Sequence, residues 1–454
     1  MRNRFTPVFL KLQSFCPGKC CLPLLLLLGS CSTMQKAGKI ASTSLLNDPE
    51  LATAHCGISL YDPERKKFVY DYQGDKYFVP ASNTKIVTLY AGMKYIRDSI
   101  IGLRYEEGKD TVFVQPTGDP CFLHPDFREQ PVFDFLKKSS KPIAVNANNW
   151  KEEPWGKGWM WDDYNEGYMA ERSPFPIYGN LIKWIEVRDS SSISALANRE
   201  AFVYSEPDIN WKVNFVNDDS NHVFSVKRAM AENQFTIRQG REANARVSVP
   251  FLTQGMQSAL ELLPDTLGKG LFISNSKHDY QSIIHSQPAD SLFRIMMYRS
   301  DNFFAEQILL MVANEKLNLM NDARIIEDLL HNDMKDFPNP PNWVDGSGLS
   351  RYNLFTPRDL VWLLDKMQSE FGMDQLRTLF PRVPMEASGD RAGDSSLVYA
   401  KSGSMSGVLC LSGFLYTRKQ HRLIFSLMIN NHQGSPRSIR KKMEQFLTQI
   451  GDLY

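Results

Sequence analysis

The chain has 454 residues, 43% hydrophobic and 23% charged, with a formal net charge of +1. That is ordinary for a globular protein and long enough for one large core or two to three domains. A balance so near zero carries no basic field for nucleic acid, and no partner is selected by bulk electrostatics.

The N-terminus reads as an export signal rather than as fold. Arg2, Arg4, Lys11 and Lys19 precede an apolar run from Leu22 to Leu28, which ends in Leu28-Gly29-Ser30-Cys31. The run is far short of the roughly 20 residues a membrane-spanning helix needs. Cys31 directly after Leu-Gly-Ser resembles a bacterial lipobox and is the expected site of lipid attachment, placing the protein on the periplasmic side of the outer membrane; ordinary secretion is the alternative. Residues 1–31 are then signal, and the polar stretch 32–50 is a tether. Of seven cysteines, Cys56, Cys121 and Cys410 remain in the mature part. Their spacing fits buried thiols better than a disulfide framework or a metal site.

Two β-like runs, His55 to Tyr61 and Lys67 to Tyr72, flank the turn Asp62-Pro63-Glu64. After Pro80 a helix is predicted from about Ser82, with Ile86, Leu89, Tyr90, Met93 and Ile96 at helical spacing. Between 101 and 285 short β-like segments such as Val112 to Gln115 and Val213 to Val216 alternate with turns, so this region is predicted to be a largely β insertion. Helical patterns follow at Phe303 to Ala313, Ala323 to Leu330 and Pro357 to Met367, the last with Thr356 as N-cap. Three β-like runs (Leu397 to Lys401, Val408 to Tyr416, Leu423 to Asn430) and a helix from Pro436 to Ile450 complete the chain. Residues 51–100 and 286–454 are expected to form one domain around the insertion.

Three remote segments carry the chemistry: Ser82-Asn83-Thr84-Lys85, Ser300-Asp301-Asn302 and Lys401-Ser402-Gly403. Serine is a weak nucleophile and needs an adjacent base. On a helix, i and i+3 share a face, which sets Lys85 over Ser82. Lys85 must be neutral to accept a proton, and burial or a second cation, for which Lys401 is the candidate, lowers a lysine pKa. Ser300 can relay a proton to a leaving amine, and Asn302 can both donate to and accept from a substrate amide. Lys401 with Ser402 can hold a carboxylate. Gly403 permits close backbone approach, and the Ser82 and Ser404 amides are the expected oxyanion donors.

Ser-x-x-Lys also occurs at Ser274 to Lys277 and Ser438 to Lys441, but the first lacks an amphipathic helix and the second lies too near the C-terminus. The eight histidines form no metal-binding pattern, and no cofactor motif occurs. Asp345 to Arg351, as a bare glycine-rich stretch, reads as a structural turn.

The ordered motifs, with Ala305-Glu306, Asp345 to Arg351, and Lys401 to Val408 with Leu411-Ser412-Gly413, resemble the class C low-molecular-mass penicillin-binding proteins, the D-alanyl-D-alanine carboxypeptidase/endopeptidase family. Gly118-Asp119-Pro120 and Gly158 to Asp163 extend the likeness more weakly. Ser82 and Ser300 are too far apart for a compact β-lactamase, as in this family, which carries inserted domains there. The resemblance implies an α/β (α+β) fold of the serine β-lactamase/DD-peptidase type, an antiparallel sheet flanked by helices. It implies a serine DD-peptidase acting on D-Ala-D-Ala or D-Ala-diamino acid bonds of peptidoglycan stem peptides. It also implies acylation by β-lactams and no cofactor. By the same likeness Asp163, Tyr168 and Arg351 contact the substrate. Read alone, Asp163 is a turn residue and Tyr168 an aromatic packed among Trp155, Trp159 and Trp161. Ser402 stands where Thr is commoner, and Ser406 where some members have Gln. The alternatives are a β-lactamase or esterase on the same fold, and a non-catalytic peptidoglycan-binding or β-lactam-sensing lipoprotein.

Overall fold

The computed structural model describes residues 34–188, 201–216, 222–241, 244–384 and 397–454. Its first element corrects the expected tether. Residues 34–41 form helix α1, continued by a π-helical turn Ser42–Leu46 and a 3-10 turn Pro49–Leu51. Polar residues dominate the stretch, but Ala37, Ala41 and Leu45 recur every fourth position and so share one helix face. With Leu51 they are buried against Ile439, Met443 and Phe446. Ser438 Oγ donates to Glu50 at 2.6 Å and Lys442 also pairs with Glu50. Cys31 and the signal segment lie outside the described residues.

Strands β1 (His55–Asp62) and β2 (Lys67–Tyr72) form a hairpin that leads to α2 (Thr84–Tyr95). Residues Thr84 to Met93 of α2 are all buried. A helix buried on every side belongs in the middle of a core.

The inserted region begins with β3 (Ser99–Glu107), β4 (Val112–Pro116), α3 (Pro131–Lys138) and β5 (Ile143–Val145). It continues with β6 (Leu181–Arg188), β7 (Ala201–Glu206), β8 (Val213–Val216), β9 (Ser225–Arg228), β10 (Phe235–Arg238) and β11 (Asn244–Pro250). It closes with α4 (Gln257–Leu267), β12 (Leu271–Ile273) and β13 (Ser282–Pro288). The strands form a five-stranded sheet in the order β12-β5-β4-β3-β13 and two three-stranded sheets, β11-β6-β7 and β8-β10-β9. Boundaries drawn at 101 and 285 cut through β3 and β13, which pair with each other, Ser99 opposite Pro288. The chain leaves and re-enters the helical body along this one antiparallel ladder. The region has its own core around Phe175, Trp184, Phe235, Phe251 and Leu263.

Then come α5 (Ala289–Arg299), α6 (Asn302–Leu317), α7 (Asp322–Asn332), α8 (Pro357–Phe371), α9 (Met373–Leu379), β14 (Arg382–Val383), β15 (Leu397–Met405), β16 (Val408–Tyr416), β17 (Arg422–Asn430) and α10 (Pro436–Leu453). Thr356 caps α8 through a capping box, accepting from Asp359 N at 3.2 Å while Asp359 Oδ2 accepts from Thr356 N at 2.9 Å. A six-stranded antiparallel sheet, β14-β15-β16-β17-β1-β2, lies between two helical layers. Alternating residues explain the sandwich. Cys410, Phe414, Ile424 and Met428 face α2, α6 and α8, whereas Leu409, Leu411, Phe425 and Leu427 face α1 and α10. Cys56, Cys121 and Cys410 are buried free thiols. Among the described residues no helix is long and apolar enough to cross a membrane.

Candidate active site

Ser82 lies in a 3-10 turn, Ala81–Asn83, that runs directly into α2. The turn is held in a strained shape: Ala81 has φ 46°, left-handed for a residue with a Cβ. Its neighbours leave little room to relax. A Cβ on Gly348, itself at φ +85°, would stand 2.0 Å from Ala81 O, and Thr84 Oγ1 donates to that oxygen at 2.9 Å. From the sheet side β15 comes as close. A Cβ on Gly403 would lie 2.5 Å from Pro80 O and 3.0 Å from Ser82 N. Asn83 Nδ2 donates to Ser412 Oγ at 2.7 Å, tying the turn to β16.

One turn on, Lys85 is fully buried. Its Nζ donates to Ser82 Oγ at 3.0 Å, to Asn302 Oδ1 at 2.7 Å and to the Ser347 carbonyl at 2.7 Å. Burial pushes its pKa down to about 8, against the opposing pull of Asp345, Glu306 and Asp301. A lysine amine held this low can accept a proton at mildly alkaline pH.

Ser300 caps α5 in the left-handed region, φ 58°, and Asp301 starts α6 by accepting from Phe304 N at 2.9 Å. This tight junction turns Ser300 toward Lys401 and Asn302 toward Lys85. Ser300 Oγ accepts from Lys401 Nζ at 2.8 Å, and Lys401 also donates to Ser402 O at 2.7 Å. Lys401 is buried, and burial first, then Lys85 and Arg440, holds its pKa well below the usual lysine range. Five polar side chains drawn from the three motifs are therefore linked in two chains, Ser82–Lys85–Asn302 and Ser300–Lys401.

A cavity of about 390 Å³ opens beside Ser82. Asn302 and Ser404 line it, together with Asp163, Tyr168 and Arg351. Asn302 Nδ2 donates to Tyr168 O at 3.2 Å, and Arg351 Nη2 to Ser406 O at 2.8 Å. Burial, with Asp163 next to its hydroxyl, pushes the Tyr168 phenol up to about 12. Ser402 lines a smaller space, about 190 Å³, with Ser300 and Lys401. The other Ser-x-x-Lys serines are elsewhere: Ser274 follows β12, and Ser438 sits on α10.

The glycine-rich stretch read as a bare turn is a buried part of this site. Asp345 accepts from Gly348 N at 2.8 Å, Ser350 N at 2.7 Å, Asn353 Nδ2 at 2.7 Å and Trp159 Nε1 at 3.1 Å. That lattice delivers the Ser347 carbonyl to Lys85. Nothing in the local sequence marks Ser347, because it acts through its backbone. Trp159 did appear in the aromatic cluster around 155–161, but its partner is remote. Among the described residues no group of three or more His, Cys, Asp or Glu is placed to hold a metal ion.

Comparison with known proteins bears on the chain as a whole. Over 88% of its length this chain is 22% identical to D-alanyl-D-alanine carboxypeptidase DacB of Haemophilus influenzae, covering 90% of that protein. It is 21% identical over 86% of its length to penicillin-sensitive carboxypeptidase A of Dictyostelium discoideum, covering 85% of that protein. Its fold is similar to the crystal structure of penicillin binding protein 4 (dacB) from H. influenzae, with a TM-score of 0.68 and 20% identity over 91% of this chain and 98% of that one. A structure of the same protein complexed with a β-lactam gives a TM-score of 0.64 at 19% identity, over 91% of this chain and 98% of that one. Residues 39–450 match the description of the D-Ala-D-Ala carboxypeptidase 3 (S13) family. The chain belongs to that family and, as a member, is a serine D-Ala-D-Ala carboxypeptidase.

Proposed function

We propose that Ser82 is the nucleophile of this DD-peptidase and Lys85 its base. The observation that carries the reading is the 3.0 Å contact between a wholly buried Lys85 amine and the Ser82 hydroxyl. Neutral Lys85 takes the Ser82 proton as Oγ attacks the carbonyl carbon of a penultimate D-Ala. The tetrahedral oxyanion is held by the Ser82 and Ser404 amides. The C–N bond then breaks, and the leaving amine takes a proton through Ser300, which Lys401 resupplies. Once the amine has left, Lys85 loses the Ser82 proton to solvent and Lys401 regains one; water then attacks the acyl-enzyme, neutral Lys85 takes its proton and delivers it to Ser82 Oγ as the acyl C–O bond breaks. Lys401, with Ser402, also neutralises the terminal carboxylate of the stem peptide. A β-lactam follows the first half of this path, with its ring amide in place of the D-Ala-D-Ala bond, and stays on Ser82.

The cavity beside Ser82 supports a substrate end that is polar and charged. Asp163 and Tyr168 are suited to an amino group of a diamino acid, and Arg351 to a carboxylate. The same machinery serves carboxypeptidase and endopeptidase cleavage, since both break a bond to the nitrogen of a D-configured residue. The Leu-Gly-Ser-Cys run before Cys31 supports export and lipid attachment, with the body on the periplasmic face of the outer membrane.

The test is mass spectrometry of pentapeptide and cross-linked muropeptides after digestion by wild type and Ser82→Ala. Loss of terminal D-Ala or of cross-links by wild type alone, with a fluorescent-penicillin adduct on Ser82, supports the reading. Turnover by Ser82→Ala overturns it. Folded protein that never forms an adduct favours a binding protein instead.

A further inference from the structure

Behind Lys85 lies a buried ionic cluster for which the peptidase chemistry above has no use. Glu306 follows Asn302 by one turn of α6, so the two share a face. Glu306 Oε1 accepts the Ser347 N–H at 2.7 Å, and the Ser347 carbonyl accepts Lys85 Nζ at 2.7 Å. One residue thus connects the Glu306 carboxylate to the Lys85 amine. Glu306 is 1% exposed, its Oε2 has no hydrogen bond, and Arg172 Nη1 stands 3.5 Å from it.

Arg172, also 1% exposed, comes from the inserted region. It donates to Asp322 at 2.6 Å, to Glu152 at 3.2 Å and to the carbonyls of Glu153 and Trp155 at 2.9 and 3.2 Å. The Trp159 ring lies 5.6 Å from the guanidinium. A buried carboxylate that needed only a partner would face the cation squarely, as Asp322 does. Glu306 instead spends its hydrogen bond on the peptide that holds Lys85.

We infer that Glu306 is a positioning residue for Lys85: through Ser347 it fixes the carbonyl that orients the amine, and its charge keeps the proton on Lys85 to higher pH. The inference rests on Lys85 being the base. The charged groups around the pair are Asp345 from the loop, Asp301 before α6, Asp322 on α7, Arg172 and Glu152 from the insertion, and Lys401 on β15. Burial and Asp345 push Glu306 up to about 7, while Arg172 and the Ser347 N–H oppose them. When ionised, Glu306 raises the proton affinity of the lysine.

The test is the pH profile of Ser82 acylation by a fluorescent penicillin, measured from about pH 5.5 to about pH 9.5. Glu306→Gln keeps an oxygen for the Ser347 N–H and removes the charge. The rising limb should move to lower pH by about half a unit or more, whatever the plateau height. A limb that stays in place while the rate falls at every pH makes Glu306 purely structural and overturns the inference. Arg172→Gln approaches from the other side: without its cation Glu306 takes up a proton, and the limb should again move down. Failure of both variants to fold also overturns it, because the cluster is then scaffolding. A Lys85→Ala control separates the two ideas: acylation with the wild-type limb would sink the base assignment itself, independently of Glu306.

Discussion

Lys401 Nζ donates to Ser300 Oγ across 2.8 Å, joining the edge of β15 to the left-handed cap of α5. In the proposed mechanism the contact gives the leaving-group proton a path that does not pass through Lys85. Ser300→Ala breaks that path and leaves Ser82 and Lys85 in place. Acylation by a fluorescent penicillin should fall about 10²- to 10³-fold, the range of a lost acid–base group. A variant acylated as fast as wild type removes Ser300 from the mechanism.

With Lys85 as the proposed base, its amine governs the pH dependence. Its pKa is lowered to about 8, so it is protonated and unable to accept a proton below that value and free to do so above it. The acylation rate should therefore rise with pH through about 8 and level off beyond. A profile already flat at neutral pH would require a different base.

Gly403 lies against the backbone of the nucleophile turn, with no room for a Cβ beside Pro80 O at 2.5 Å. Gly403→Ala must displace β15 or Ser82. Overpacking of this kind costs about 1–3 kcal/mol, and a 1 Å misplacement costs about 10²-fold in rate. Thermal unfolding and penicillin acylation should both fall, acylation by at least about tenfold. Retained acylation would show that the strand can retreat freely.

Arg351 is exposed on the cavity rim and, among the described residues, its side chain donates to the Ser406 carbonyl at 2.8 Å. Arg351→Ala should raise KM for muropeptides about tenfold while leaving penicillin acylation and the melting temperature near wild type. An equal loss for peptide and penicillin would place the residue in general site assembly rather than in substrate recognition.

Leu45 is 2% exposed and packed with Ile439, Met443 and Phe446. Leu45→Ala should lower unfolding stability by about 2–5 kcal/mol, as core truncations of this type do. Unchanged denaturant unfolding would mean that the segment detaches in solution.

Several of these relationships were legible in the chain and others were not, for physical reasons. Ser82 and Lys85 three apart on a helix declare their shared face, and the alternating β15 to β17 runs declare a sheet. Thr356 directly before Pro357 declares a helix start. The partners of Glu306 could not be read, because Arg172 reaches it from a distant part of the insertion and no local period records the meeting. Ser347 is invisible for a different reason: its contribution is a backbone carbonyl, which every residue carries. The lead-in segment looks like a tether in sequence because Ser, Thr and Lys outnumber the apolar residues whose fourfold spacing places them on the core.

That lead-in has a consequence for where the enzyme can work. Helix α1 already includes residue 34. A lipid on Cys31 would therefore be separated from the folded body by so few residues that even a fully extended backbone spans only about 10 Å. With the proposed lipid in place, such a short leash would hold the folded body close to the bilayer. Stem peptides would have to come down to the enzyme, and the layer of wall nearest the lipid would be trimmed first.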